Sequence, residues 1–236
     1  MKTPYYKIII LLPILLVTLF ETNTYGQTEP NTNWDNQIYL GNKVTFGKNK
    51  WRFGTELQTR LENDFQQLDN WFVEFTANYL LSKHVEIVPD FRASVKPTST
   101  EIRLGIGLLL KTNTSNTTFT NQTKLQYDLN NSGDPGIAFR EVVFINHKIN
   151  EKMMATLVAG AIYRWWPDWN GFQYIRVGPG LTYTFDEKHR LNMSYFIGVE
   201  NDTKQWLWAG IPMIQLVINL NSKDSYEYTP ANYFDF

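Results

Sequence analysis

Trp51-Arg52-Phe53-Gly54-Thr55-Glu56-Leu57-Gln58-Thr59-Arg60-Leu61-Glu62 alternates with a period of two. Its odd positions are apolar or neutral, and its even positions carry Arg, Gly, Glu, Gln, Arg and Glu. A strand sends successive side chains to opposite faces, so this segment has one apolar face and one ionised face. Ten further stretches of similar length repeat the pattern: 34–46, 71–81, 85–96, 101–111, 117–129, 137–149, 153–165, 172–185, 190–200 and 205–220. The breaks between them carry turn chemistry, such as Gly47-Lys48-Asn49, Asn113-Thr114-Ser115-Asn116 and Asp168-Trp169-Asn170-Gly171. A string of amphipathic strands joined by short hairpins predicts an all-β, antiparallel, up-and-down transmembrane barrel.

Eleven strands cannot close an all-antiparallel barrel, because the first and last would run parallel. A twelfth is expected from 225–236, where Tyr226, Tyr228, Phe234 and Phe236 share parity after the turn Asn221-Ser222-Lys223-Asp224. Pro230 counts against it, since proline removes a ladder donor. Twelve strands is therefore the expectation and ten the alternative. A terminal Phe on an amphipathic strand also resembles the C-terminal signal read by the barrel-assembly machinery.

The start of the chain reads as an export signal. Lys2 and Lys7 are the charges before Glu21, and Ile8 to Phe20 is an apolar run of thirteen residues containing Pro13. A spanning helix needs about 20 apolar residues, so cleavage after Gly26 is expected, with Gln27 as the first mature residue. That leaves 27–236 as a single barrel domain in the outer membrane of a Gram-negative bacterium, in contact with outer-membrane lipid. Removing 1–26 lowers Lys+Arg from 22 to 20 and Asp+Glu from 23 to 22, a mature net charge of −2. No basic excess points to nucleic acid. The chain has no cysteine, which excludes a lipoprotein anchor, disulfides and thiolate sites.

Parity sorts the faces. Trp71, Val73, Phe75, Ala77, Tyr79 and Leu81 oppose Glu74, Thr76 and Asn78; Ile102, Leu104, Ile106, Leu108 and Leu110 oppose Glu101, Arg103 and Lys111. The stretch 137–149 is mixed and its faces are left open. Seven glycines (Gly54, Gly105, Gly107, Gly160, Gly178, Gly180, Gly198) fall on the polar face and Gly210 on the apolar one. They read either as space for facing side chains in a narrow barrel or as bulges. Trp34, Trp51, Trp71, Trp165, Trp166, Trp206 and Trp208 sit at strand ends, as in the aromatic girdles of membrane barrels. The rival architecture is a soluble cup with the apolar face inward. It is disfavoured because so many long strands would enclose an apolar lumen too wide to fill.

The candidate functional set is the inward charge: Arg52, Glu56, Arg60, Glu62, Glu74, Glu86, Asp90, Arg92, Lys96, Glu101, Arg103, Lys111, Lys124, Asp128, Arg164, Arg176 and Glu200. Both signs are interleaved. This set reads as a polar lumen that passes or binds a small hydrophilic solute, or as a ladder of ion pairs that plugs the barrel. Enzymatic function is not expected. His84 and His189 fall in turns, and His147 lies beside Asn146 on opposite strand faces. No G-x-S-x-G or H-E-x-x-H motif is present, and no cofactor or metal site is expected. An outer-membrane lipid-modifying enzyme is the least favoured alternative.

The signal peptide, the Gln at the mature start, Trp34 opening an alternating strand, the Arg-rich inward faces and the short hairpins together resemble the envelope family called domain of unknown function 2490. The resemblance spans roughly residues 33 to 220. It implies an outer-membrane β-barrel with no established activity and transfers no catalytic or binding residue.

Overall fold

The computed structural model describes residues 34–131, 135–167, 169–202, 205–221 and 225–234. The export signal, the Ser222–Asp224 turn and Phe236 lie outside these. Twelve strands form one sheet: β1 Trp34–Asn36, β2 Ile38–Lys48, β3 Trp51–Glu62, β4 Gln67–Leu80, β5 Val85–Val95, β6 Thr100–Asn113, β7 Thr117–Asn130, β8 Pro135–Lys148, β9 Met153–Trp165, β10 Asn170–Thr184, β11 His189–Asp202 and β12 Gln205–Asn219. From β2 to β12 each strand pairs antiparallel with the next, and β12 pairs with β2 to close the ring.

The count of twelve holds, but the ring is built differently from the expectation. Eleven strands close it, and the seam is parallel, with Met213 opposite Tyr39 through to Asn219 opposite Thr45. The twelfth strand is β1, a short piece cut from the expected 34–46 stretch. It also runs parallel to β12, with Trp34 opposite Trp208 and Asn36 opposite Gly210. Pro212 accounts for the cut. The Gln37 N–H donates to the Gly210 carbonyl at 2.9 Å. By strand alternation Pro212 faces the same neighbour and has no N–H to give, so the ladder lapses there. The Gln37 side chain turns to Asp35, Glu200 and Tyr39 instead.

Residues 225–234 form no strand of this sheet. The edge they were expected to pair with is already taken by β12. The chain instead makes one bridge at Asn49–Tyr226 and then enters the barrel.

The wall is apolar outside and mostly polar within. Leu57, Phe75 and Ile106 are 46%, 42% and 57% exposed, whereas Glu74 and Arg103 on the opposite face are buried. Fourteen-residue strands such as β4 and β6 measure roughly 46 Å along the strand, about 33 Å after a barrel's tilt, close to a bilayer's hydrocarbon thickness. Aromatic side chains cluster at both rims. Trp51 packs on Tyr79 at a ring distance of 4.8 Å at one, and Tyr163 packs on Trp165 at 4.7 Å at the other. The glycine on the outer face has a local reason: a Cβ at Gly210 would meet the Trp34 ring at 2.8 Å. The register shifts fall at Arg60/Leu61 and Phe172/Tyr174, away from the inward glycines. At Gly105 a Cβ would meet Asp90 Oδ1 at 2.6 Å and Lys124 Cε at 2.7 Å, so the missing side chain leaves room for that ion pair.

Candidate functional site

The barrel has an N-terminal mouth, where Trp34 and the β3–β4 turn lie, and a C-terminal mouth, where β2 and β12 end. Strand direction places each inner side chain between them. The half nearer the N-terminal mouth holds Arg60, Arg92, Arg103, Arg140, Arg164 and Arg176, with Glu74, Asp128 and Glu200 among them. The guanidinium of Arg92 donates to Glu74 Oε2 through Nε at 2.8 Å, and its Nη2 lies 2.6 Å from the same oxygen. Arg103 Nη2 reaches that oxygen at 3.5 Å. Arg164 pairs with Asp128, and Arg176 with Glu200. Aromatic rings fill the gaps: Arg92 lies 3.7 Å over Phe72, Arg60 4.2 Å over Tyr39, and Arg176 4.1 Å over Tyr174. Toward the middle, Lys43 pairs with Glu56 at 3.2 Å and Lys124 with Asp90 at 2.9 Å.

The C-terminal half is closed by the segment 229–234. The Ala231 N–H donates to Glu86 Oε1 at 2.5 Å, and Lys111 Nζ donates to Glu86 and to the Thr229 carbonyl, both at 2.7 Å. Arg52 donates to the Ala231 carbonyl at 2.9 Å and Asn146 to that of Asn232 at 3.1 Å. The Tyr233 hydroxyl donates to Asn78 at 3.2 Å beneath Lys43, 5.2 Å from the ring. Phe234 meets Phe144 edge-on at 5.5 Å and Phe196 at 6.0 Å. Val88, Leu109, Val142, Val158 and Met213 complete an apolar socket around Ala231, Tyr233 and Phe234. Closer to the rim, burial pushes the Tyr226 phenol's pKa up, against a smaller opposing effect of Arg52.

The inner wall carries most of the residues expected from parity. Glu56, Glu74, Asp90, Arg92, Arg103, Lys124, Arg164 and Arg176 are buried, while Arg52, Arg60 and Glu200 are partly exposed near the mouths. Lys96 pairs with Glu101 at 3.5 Å on the rim rather than in the lumen. The expected set missed Lys43, the partner of Glu56, Arg140 on the stretch whose faces were left open, and the socket around the tail. The three histidines all sit at the C-terminal mouth. His84 bonds the Lys111 carbonyl, His147 the Thr117 hydroxyl, and His189 the Asp186 carboxylate. Among the described residues no group of three or more His, Asp or Glu is placed to hold a metal ion.

The family model described as "Protein of unknown function (DUF2490)" matches residues 33–208. A solved structure titled "Bacterial polysaccharide outer membrane secretin" aligns at TM-score 0.49 and 9% identity, over 67% of this chain. The chain spans 62% of the length of that structure. A NanC porin structure aligns at TM-score 0.47 and 13% identity, over 72% of this chain and 89% of that one. No curated protein matches by sequence.

Proposed function

The chain belongs to the DUF2490 family of β-barrels, and on that premise we propose that it is an outer-membrane barrel held shut by its own contents. The apolar belt and two aromatic rims support insertion in a bilayer, with Leu57, Phe75 and Ile106 toward lipid and the export signal removed. The observation that carries the occluded state is continuous burial along the inner wall. Gln58, Glu74, Gln126 and Asp128 in one half, Glu56 in the middle, and Leu80, Glu86 and Leu109 in the other are each at most 3% exposed. A diffusion pore would leave such groups wet. The barrel then serves as a rigid structural or interaction element rather than as a catalyst.

A second reading is favoured by one feature, that the plug in the C-terminal half is a segment outside the sheet and not a strand of the wall. Withdrawal of residues 225–236 would convert that half into a narrow conduit for a small hydrophilic solute. Planar-bilayer recording separates the two. Full-length, heat-modifiable protein is expected to give no steady conductance, and stepwise currents from it would overturn the occluded state. A chain ending at Asn221 is expected to stay silent if the arginine-rich half suffices to close the barrel. Steady current from that truncation would establish the conduit.

A further inference from the structure

The outer wall of β4 to β6 is built of large apolar side chains, among them Phe75, Phe91 and Leu104. One sector differs. Asn121 and Thr123 on β7 and Glu141 on β8 point outward, in alternation with the buried Gln122, Lys124, Arg140 and Val142. The Thr123 hydroxyl donates to Glu141 Oε2 at 2.7 Å and lies 3.3 Å from Asn121 Oδ1, while Asn121 Nδ2 donates to Glu141 Oε1. Thr123 and Glu141 are cross-strand partners, and each sits midway along a strand of 14 residues. That places the carboxylate roughly 16 Å below either rim. Among the described residues no other Asp, Glu, Lys or Arg faces outward in mid-strand.

A carboxylate turned toward acyl chains at this depth is costly, and two local hydrogen bonds offset only part of that. Beside it the wall is low. Ala161 on β9 is opposite Glu141 and Ala159 is opposite Val143, so another protein surface can approach the backbone closely. Lipid supplies no hydrogen-bond donor at mid-depth, because its polar groups lie at the rims. A second copy supplies donors there by symmetry. A twofold axis along the membrane normal brings both polar clusters to equal depth in an isologous contact. One N–H of the Asn121 amide goes to Glu141, leaving the other to reach across, and each carboxylate oxygen accepts more than one bond. We infer that the β7–β9 sector, centred on Asn121, Thr123 and Glu141, is a homodimer interface within the membrane.

The chain has no cysteine, which permits clean probes. Ala161→Cys lies in the sector, and Leu57→Cys lies at similar depth on the far side of the ring. In protein reconstituted in phospholipid vesicles, a thiol-specific crosslinker spanning about 10 Å, two strand spacings, is expected to link Ala161→Cys into dimers and to leave Leu57→Cys monomeric. Adding Glu141→Leu to Ala161→Cys is expected to lower the dimer fraction about tenfold, the scale of a pair of membrane-embedded polar contacts. Glu141→Gln, which keeps an acceptor oxygen, is expected to retain the dimer. Folding of each variant is read by heat-modifiability, and Asn121→Leu replaces Glu141→Leu if that variant does not fold. The proposal is overturned by equal linking at both cysteines. It is equally overturned by absence of linking in folded Ala161→Cys, or by a dimer indifferent to loss of the polar cluster.

Discussion

The two halves of this lumen are filled by different forces. Near the N-terminal mouth, guanidinium groups, carboxylates and a few rings interlock. Near the C-terminal mouth, Phe234, Tyr233 and Ala231 sit in a socket of valine, leucine and phenylalanine, with Arg52, Lys111 and Glu86 gripping the tail's backbone and Lys43 and Arg52 over the Tyr233 ring. A charged lattice made from wall residues cannot leave without unfolding the wall. A segment outside the sheet, packed in an apolar socket, leaves when its contacts are lost. One half is therefore part of the barrel's integrity, and the other is an occupant.

The largest expected effect is on the charged side. Glu74→Gln removes the carboxylate that Arg92 and Arg103 share and leaves two buried guanidinium groups short of their counter-charge. Breaking such a group costs about 3–5 kcal/mol. Urea unfolding of the refolded barrel in lipid vesicles reads this directly. A loss under about 1 kcal/mol would mean that water reaches these arginines and that the half is not sealed.

Phe234→Ala comes next, at about 3 kcal/mol for a fully buried ring of this size. Its expected signature differs as well: the tail becomes open to limited proteolysis while the strands stay protected. If the halves are separate, combining Glu74→Gln with Phe234→Ala adds within about 0.5 kcal/mol. A strong coupling would erase the distinction between lattice and occupant.

The same contrast explains what could be read from the sequence. Where inner residues are charged, alternation is clean, as in 51–62 and 101–111, and strand and face follow from parity alone. Where inner residues are apolar, both faces look alike. The stretch 137–149 resisted assignment because Ala138, Val142 and Phe144 all point inward, and two of these, Val142 and Phe144, line the tail's socket. The exceptions to the pattern thus mark the binding place of the 229–234 segment. The tail carried aromatic residues at a single parity and imitated a strand, and nothing local reveals that its pairing edge is occupied. The parallel seam and the break opposite Pro212 depend on partners more than 170 residues away, so no window of sequence contains them.

The smallest effect is expected at the N-terminal mouth, and it tests how far the lattice extends. Arg60 is only half-buried, donates to Gln58 through Nε at 2.7 Å, and spreads over Tyr39 and Phe72 at 4.2 and 5.2 Å. Arg60→Lys keeps the charge but loses the planar surface that stacks on both rings, and lysine's compact ammonium prefers water at an open mouth. Stacking of a partly exposed cation contributes about 0.5–1 kcal/mol, so vesicle unfolding should show a loss of that order and no more. A loss near that of Glu74→Gln would carry the lattice out to the rim and make the mouth itself part of the seal. No change at all would place Arg60 with the solvent and set the outer limit of the charged half one layer deeper, at Arg92 and Arg176.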